Sequence, residues 1–568
     1  MRILFLTHTF NSLTQRLYCE LTDRGHLVSI EFDIADSVAE EAVALFKPDL
    51  IVAPYLRRAI PESIWKQHTC LIVHPGIVGD RGPSALDWAI QEQVGEWGVT
   101  VLQAEAEMDA GPIWASETFP MRVAKKSSLY RNEVTEAATR GVLKAVERFV
   151  AGNFVPTPLD YDNPAVRGQL RPLMKQIERA IDWSHDTTAT VLAKINAADG
   201  FPGIADALFD EPCHLFDASA ESSLRGTPGE LIARRETALC RATADGAVWI
   251  GHVKRKGGFK LPATLAFVEQ SATLSEAELD GWWAQQHATW QDIRYEEAQY
   301  VGFLHFDFTN GAMGTQQCQR LLAAYRWATA RPTKVIVLMG SRDFWSNGVH
   351  LNLIEAAESP ADESWANINA IDDLAEAIIR TETHLTVAAV QGNCGAGGCF
   401  LARAADFVWM RDGALMNPHY KNMGNLFGSE YWTYLLPPRV GEDGARAIMQ
   451  NRLPLTAKAG VANGFIDACL AADIDAFRVD AARRAAELAA APDLEQRLAA
   501  KRQKRAADEA IKPLAQYRAE ELEHMRRNFY GFDPSYHVAR FHFVQKSPQS
   551  WTPRHLAKHR DLDWKVPQ

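Results

Sequence analysis

The stretch Val387 to Phe400, VAAVQGNCGAGGCF, constrains this chain more than any other. An apolar run, Val387 to Val390, turns through Gly392 into the glycine-rich Gly395 to Gly398 and then into an apolar helix start. Such runs let a backbone approach a ligand closely, because no Cβ intervenes. Their amides can point at an oxygen from a helix N-terminus. Upstream, Phe344 to Leu351, FWSNGVHL, also follows an apolar run, Val335 to Leu338. Two glycine-bearing turns after two strands suggest two N–H groups converging on one carbonyl oxygen, an oxyanion hole. Spacing alone leaves open whether they are simply two strand-to-helix turns.

At roughly 150 residues per domain, a chain of 568 residues holds two to four domains. Its 47% hydrophobic and 23% charged content fits a globular protein. A net charge of −11 argues against a broad nucleic-acid surface. The eight cysteines are scattered without a CxxC, as expected for reduced thiols in the cytoplasm. Cys394 and Cys399 flank the glycine run, but without further ligands they make a poor metal site, and no metal is expected. The N-terminus, MRILFLTHTF, reads as a first strand, its apolar core too short for a signal peptide. No apolar run approaches the ~18 residues of a membrane span.

The first segment, residues 1–155, alternates strands and helices: Arg2 to Thr7, Leu27 to Phe32, Asp49 to Ala53 and Cys70 to Val73 read as strands. This predicts a parallel α/β sheet with its ligand site at the carboxyl ends of the strands. His74 stands at one such end, and Asp109 lies downstream in the turn Met108-Asp109-Ala110-Gly111-Pro112-Ile113. They form either an acid/base pair that polarises a carbonyl, or a loop histidine and a turn-forming aspartate. The ordered strands, H-P-G-x-x-G-x-R-G-P at His74 to Pro83 and M-D-A-G-P-I together resemble the formyltransferases that use 10-formyltetrahydrofolate. The resemblance implies a Rossmann-like domain in which His74 and Asp109 activate the formyl group. That family's asparagine, in Asn-x-His, falls here on Ile72, which removes a donor to the formyl oxygen and implies a changed acceptor or timing of proton transfer.

In residues 156–270, a proline-bearing connector precedes short strand-like pieces, among them Ala238 to Arg241 and Ala247 to Val253, expected to form a small β-barrel. The D-W-S start and G-T-P-G-E-L at Gly226 to Leu231 resemble the OB-like C-terminal domain of the same formyltransferases. Lys254 to Gly258 is a basic turn, either a solvated loop or a partner for a phosphate or a glutamylated folate tail. Residues 271–295, charged and carrying Trp282, Trp283 and Trp290, are expected to form a helical linker.

In residues 296–568, F-W-S-N-G-V-H-L, the V-x-G-x-x-x-A-G-G-C-F turn, N-P-H-Y at Asn417 to Tyr420 and A-x-A-G-V-A-N-G-F-I-D at Ala457 to Asp467 resemble the enoyl-CoA hydratase/isomerase, or crotonase, family. The resemblance implies that the N–H groups of Val349 and Gly397 form the oxyanion hole for an acyl-CoA thioester. The catalytic glutamates of hydratases fall here on Phe400 and His419, so alkene hydration is not expected. Tyr420 and Glu430 remain nearby as acid/base candidates, or as a packed tyrosine and a helix N-terminal glutamate. The tail past residue 475 reads as strongly helical. Arg540 and Lys546 within it are candidates for CoA phosphates, or members of a solvated basic face.

The expected fold class is thus α/β multidomain: a Rossmann-like formyltransferase domain, an OB-like barrel and a crotonase-like domain with a helical tail. A formyl site joined to an acyl-CoA fold implies formyl-CoA as shared intermediate, made from 10-formyltetrahydrofolate and coenzyme A. Formyl-CoA has no α-carbon, which leaves hydrolysis, or loss of the formyl proton with C–S cleavage to carbon monoxide. The order of the two halves resembles a family of hydrogenase maturation proteins that supply the CO ligand of [NiFe]-hydrogenases in the presence of oxygen. That resemblance implies decarbonylation and, as partners, the proteins that assemble the Fe(CN)2CO group. The alternatives are an amine formyltransferase with a scaffolding crotonase half, a formyl-CoA hydrolase, and a non-catalytic assembly module.

Overall fold

The computed structural model describes residues 1–561. The chain forms two compact units, Met1–Gly258 with Pro262–Glu276 and residues 548–561, and Phe259–Leu261 with Ala277–Ser547.

In the first unit, β1 (Arg2–Thr7), β2 (Leu27–Phe32), β3 (Leu50–Ala53), β4 (Cys70–His74), β5 (Glu96–Gln103) and β6 (Ile113–Pro120) form one sheet in the order β2-β1-β3-β4-β5-β6. Leu4, Leu6, Ile51 and Ala53 pack on Ala39, Ala42 and Phe46 of the helix Asp36–Phe46, so the short apolar strands are buried by crossover helices. The sheet is not wholly parallel as expected, since β5 runs antiparallel to both β4 and β6. No helix intervenes between β5 and β6, so a parallel crossover is not built there.

A second sheet in this unit is antiparallel, with β7 (Ile204–Leu208), β8 (Glu211–Glu221), β9 (Leu231–Arg235), β10 (Ala238–Ala242) and β11 (Ala247–Arg255) in the order β7-β8-β11-β10-β9. The ladder is open, because no pairing joins β7 to β9 among the described residues, so the expected barrel closure is not part of it. Asp217 sits left-handed (φ 59°) opposite Gly251, where a Cβ would come 2.5 Å from the Asp217 carboxylate.

In the second unit the main sheet runs Ile293–Ala298, Val301–Phe306, Val335–Leu338, Leu385–Val390, Phe407–Arg411, Ala468–Leu470, antiparallel in the first pair and parallel thereafter. Its side chains alternate strictly. Val335, Val337, Val387 and Ala389 face the helix Ile474–Ala490, whereas Ile336, Leu338, Ala388 and Val390 face the helices Thr315–Thr329 and Pro360–Ile379. Three of these strands then turn a corner into a small second sheet, Phe344–Ser346, Asn393–Gly395 and Leu415–Asn417, completed by Leu455–Thr456. Each corner carries a glycine: Gly340 (φ 53°), Gly392 and Gly413 (φ 100°). A Cβ on Gly392 would stand 2.7 Å from the Arg342 carbonyl oxygen, so the corner needs glycine.

Two expected boundaries change. Residues 271–295 do not form a helical linker, as no helix lies between Ser271 and Ile293. Asp280-Gly281 turns (Gly281 φ 70°), and the chain then runs extended, with Tyr295 N–H donating to the Trp282 carbonyl at 2.7 Å. The Trp283 ring packs 5.3 Å from Tyr295 and 5.4 Å from Trp327, and these aromatic anchors outweigh weak helix propensity. The segment expected over 296–568 also ends early. Residues 548–561 belong to the first unit, where Leu556 accepts from Ile30 N–H at 3.0 Å and His559 meets buried Glu31 at 2.9 Å. Residues 562–568 lie outside the described residues.

Candidate functional sites

Each unit brings together residues of one candidate site. In the first, β4 ends on His74, which is 5% exposed, at the carboxyl end of the parallel strands. His74 Nε2 lies 2.9 Å from Asp80 Oδ1, and Nδ1 lies 3.6 Å from Asp109 Oδ2. The first separation is a hydrogen bond and the second is too long for one. Asp109 is left-handed (φ 55°) and accepts from Gly82 N–H at 3.1 Å. Arg81 staples the two loops together, Nε donating to the Met108 carbonyl at 2.9 Å and the guanidinium pairing with Glu107 at 2.7 Å. A Cβ on Gly76 would stand 2.5 Å from His74 Nε2, and one on Gly111 1.9 Å from the Gln103 carbonyl oxygen. The glycines of both motifs therefore let the loops close on the imidazole. Ile72, on the same strand two residues before His74, packs against the apolar core instead of offering an amide.

Asp80 was not singled out in the sequence. It lies at a variable place in H-P-G-x-x-G-x-R-G-P, yet its side chain is more buried than that of Asp109 and makes the shorter contact. An imidazole between two carboxylates is fixed in orientation and can take or give a proton at either nitrogen.

In the second unit the main-sheet strand Leu385–Val390 leads through Asn393–Gly395 to Ala396, which is held at φ 47°, and Gly397 opens the helix Gly397–Arg403. As the first helical residue, Gly397 has an N–H outside the intrahelical ladder. Gly348 lies against it, since a Cβ there would stand 3.3 Å from Gly397 N, and this brings the Val349 and Gly397 segments together.

The Glu430 carboxyl faces the same turn. A Cβ on Gly397 would stand 1.9 Å from Glu430 Oε1. Tyr420 Oη donates to Glu430 Oε2 at 2.6 Å. The Phe400 ring stacks on Tyr420 at 5.9 Å and 16°, and Phe465 meets Phe400 edge-on. Glu430 and Tyr431 are consecutive left-handed residues (φ 59° and 61°), a strained turn for non-glycine residues. Burial, and then the neighbouring Asp372, push the Glu430 carboxyl above its ordinary range. Burial and Glu430 raise the Tyr420 hydroxyl, which therefore stays protonated. Two further buried acids, Asp372 and Glu521, stand behind Glu430, and neither had a local signal in the sequence.

The two cations singled out in the tail fare differently. Arg540 is not a free phosphate ligand, being 5% exposed with Nε donating to Glu355 at 2.7 Å and a terminal nitrogen 2.6 Å from His537 Nδ1. A buried guanidinium must be paired, and this one is. Lys546 is exposed, its ammonium 4.4 Å from the Phe543 ring centroid and facing Lys260. No group of side chains suited to a metal ion occurs among the described residues.

Fold and sites together define a formyltransferase-like unit joined to a crotonase-like one, and family comparisons divide the chain the same way. Residues 30–146 match the formyl transferase family, 173–269 the formyl transferase C-terminal domain, and 310–552 enoyl-CoA hydratase/isomerase. The chain is 54% identical over 564 residues, 99% of its length and 97% of the relative's, to the hydrogenase maturation factor HoxX of Bradyrhizobium diazoefficiens. It therefore belongs to the HoxX/HypX family of hydrogenase maturation factors. The crystal structure of HypX from Aquifex aeolicus in complex with tetrahydrofolic acid superposes with a TM-score of 0.96 at 48% identity, over 100% of both chains. The methionyl-tRNA formyltransferase of Roseiflexus castenholzii is 29% identical over 240 residues, 40% of this chain and 73% of that enzyme.

Proposed function

We propose that this protein makes carbon monoxide for the active site of a [NiFe]-hydrogenase in two steps. The first unit moves a formyl group from 10-formyltetrahydrofolate to the thiol of coenzyme A, and tetrahydrofolate bound to the Aquifex aeolicus relative supports the donor. His74 takes the thiol proton as the C–S bond forms and returns it to the folate nitrogen as the C–N bond breaks, with Asp80 and Asp109 orienting the imidazole. Ile72 in place of an amide fits a thiol acceptor better than an amine.

The second unit breaks formyl-CoA. The formyl C–H and C–S bonds cleave, the proton passes from carbon to sulfur, and CO and free CoA leave with no oxidant or reductant required. The thioester oxygen sits against the Val349 and Gly397 amides. Glu430 accepts the formyl proton, and Tyr420, held protonated, supplies one toward sulfur; the hydrogen bond between them restores the pair. The observation that carries this reading is the Glu430 carboxyl lying against Gly397 with Tyr420 at 2.6 Å and the Phe400 ring stacked on the tyrosine. Lys546 is left to meet a CoA phosphate. The proteins that assemble the Fe(CN)2CO group would receive the CO, in the cytoplasm.

Supplying formyl-CoA directly tests the second step. The reading expects CO from the wild type and from His74→Ala, and none from Glu430→Gln. Formate as the product would replace it with a hydrolase.

A further inference from the structure

Three acidic side chains from three elements meet behind the Gly397 turn. Asp372 comes from the helix Pro360–Ile379, Glu521 from the helix Leu514–Tyr530, and Glu430 from the loop between them in space. Asp372 and Glu521 are wholly buried and Glu430 is 1% exposed. Asp372 accepts from Glu430 N–H at 2.8 Å and from Ser429 Oγ at 2.7 Å. Glu521 accepts from Tyr431 N–H at 2.9 Å, Thr433 N–H at 2.8 Å and Thr433 Oγ1 at 2.5 Å, with Ser429 Oγ at 3.3 Å.

These bonds take up the backbone of the turn whose two left-handed residues are Glu430 and Tyr431. Neutral amides would serve such a backbone at lower cost, because buried carboxylates are expensive unless paired. The cation facing the cluster, Arg518, only partly pairs them. It lies 4.0 Å from Asp372 and makes shorter contacts to Asp373 (2.7 Å) and Glu376 (3.3 Å). Tyr420, Cys399 and Cys318 complete the titratable surroundings of Glu430, and none brings positive charge.

We propose that Asp372 and Glu521, linked by Ser429, are positioning residues that hold the Glu430–Tyr431 turn and aim the Glu430 carboxyl at the Gly397 turn, with the negative charge of Asp372 stationed behind it. The inference rests on the reading that Glu430 acts on a thioester. The placement has two consequences. A carboxyl backed by like charge holds a proton more tightly once it has taken one. The strained turn also relaxes away from Gly397 when either acceptor is lost.

The test uses the full-length protein with formyl-CoA, following loss of the thioester whatever the product. Asp372→Ala should lower kcat about a hundredfold with KM unchanged, the scale of a misplaced catalytic group. Asp372→Asn keeps the shape and an acceptor, so it should recover most of that loss. The pH limb belonging to Glu430 should move to lower pH in Asp372→Asn, because a like charge has gone. Wild-type kcat in Asp372→Ala, or an unmoved limb in Asp372→Asn, overturns the proposal. Should Asp372→Ala fail to fold, the limb of Asp372→Asn decides alone. Glu430→Gln separates the two readings. If it is inactive while Asp372→Ala is fully active, only the positioning claim falls. If it is fully active, Glu430 has no catalytic part and both fall.

Discussion

Tyr420 and Glu430 share a buried hydrogen bond of 2.6 Å, with Phe400 stacked on the tyrosine. The bond ties an acid that has lost its usual acidity to a phenol that keeps its proton. A pair of this kind can take a proton on one side and release one on the other. Glu430→Gln keeps the shape and removes the base. Its turnover of formyl-CoA should fall by about 10² to 10⁴, the usual range for a general base. Tyr420→Phe should reduce the same rate while leaving formyl transfer intact. Chromatography of the CoA products would show formyl-CoA accumulating in both.

Gly397→Ala places a methyl group where the Glu430 carboxyl now sits. The carboxyl must move, so the second step should fail even though the variant keeps Glu430. Overpacking of this kind costs about 1–3 kcal/mol, which thermal melting would register as a modest loss of stability. Decarbonylation at the wild-type rate in a folded Gly397→Ala protein would mean that Glu430 does not act beside this turn.

In the first unit, His74→Ala should abolish transfer of formyl from 10-formyltetrahydrofolate to CoA. Asp80→Asn should weaken it, because the short hydrogen bond to Nε2 loses its charge. Both should leave turnover of supplied formyl-CoA unchanged. Assays of the two half-reactions on the same preparations would check the division of labour.

The buried acids also set a pH dependence of stability. Burial, then Asp372, raise Glu521 from 4.5 to about 8. A folded-state value above the unfolded one means that the contribution is fully present below 4.5 and is lost as pH rises through about 8. The melting temperature should therefore fall between pH 5 and pH 9. Glu521→Gln should flatten that slope, as differential scanning calorimetry at the two pH values would show. An equal slope in variant and wild type would mean that Glu521 is not held protonated.

Much of the fold was legible because it is written in local pattern. Val335 to Leu338 and Val387 to Val390 are short apolar runs ending in glycine turns, and both form central strands. His74 lay at a strand end, and its approach to Asp109 followed from two glycine-bearing loops. Asp372 and Glu521 were not legible, since each sits in an ordinary charged helix and gains its meaning only from packing against a distant loop. Arg540 misled for the same reason, because Glu355, which pairs it, is 185 residues away. The helix expected over 271–295 rested on composition, whereas tryptophan packing decides that segment. Nor does local pattern show that residues 548–561 return to the first unit, where Thr552 and His559 meet Glu31.

The central claim is that both units act on one carbon. Its most direct measurement is to incubate the full-length protein with 10-formyltetrahydrofolate labelled at the formyl carbon and CoA, and to trap the gas on haemoglobin. The account predicts labelled CO from the wild type, none from His74→Ala, and labelled formyl-CoA without CO from Glu430→Gln. Labelled formate in place of CO, or equal CO from wild type and Glu430→Gln, would contradict it.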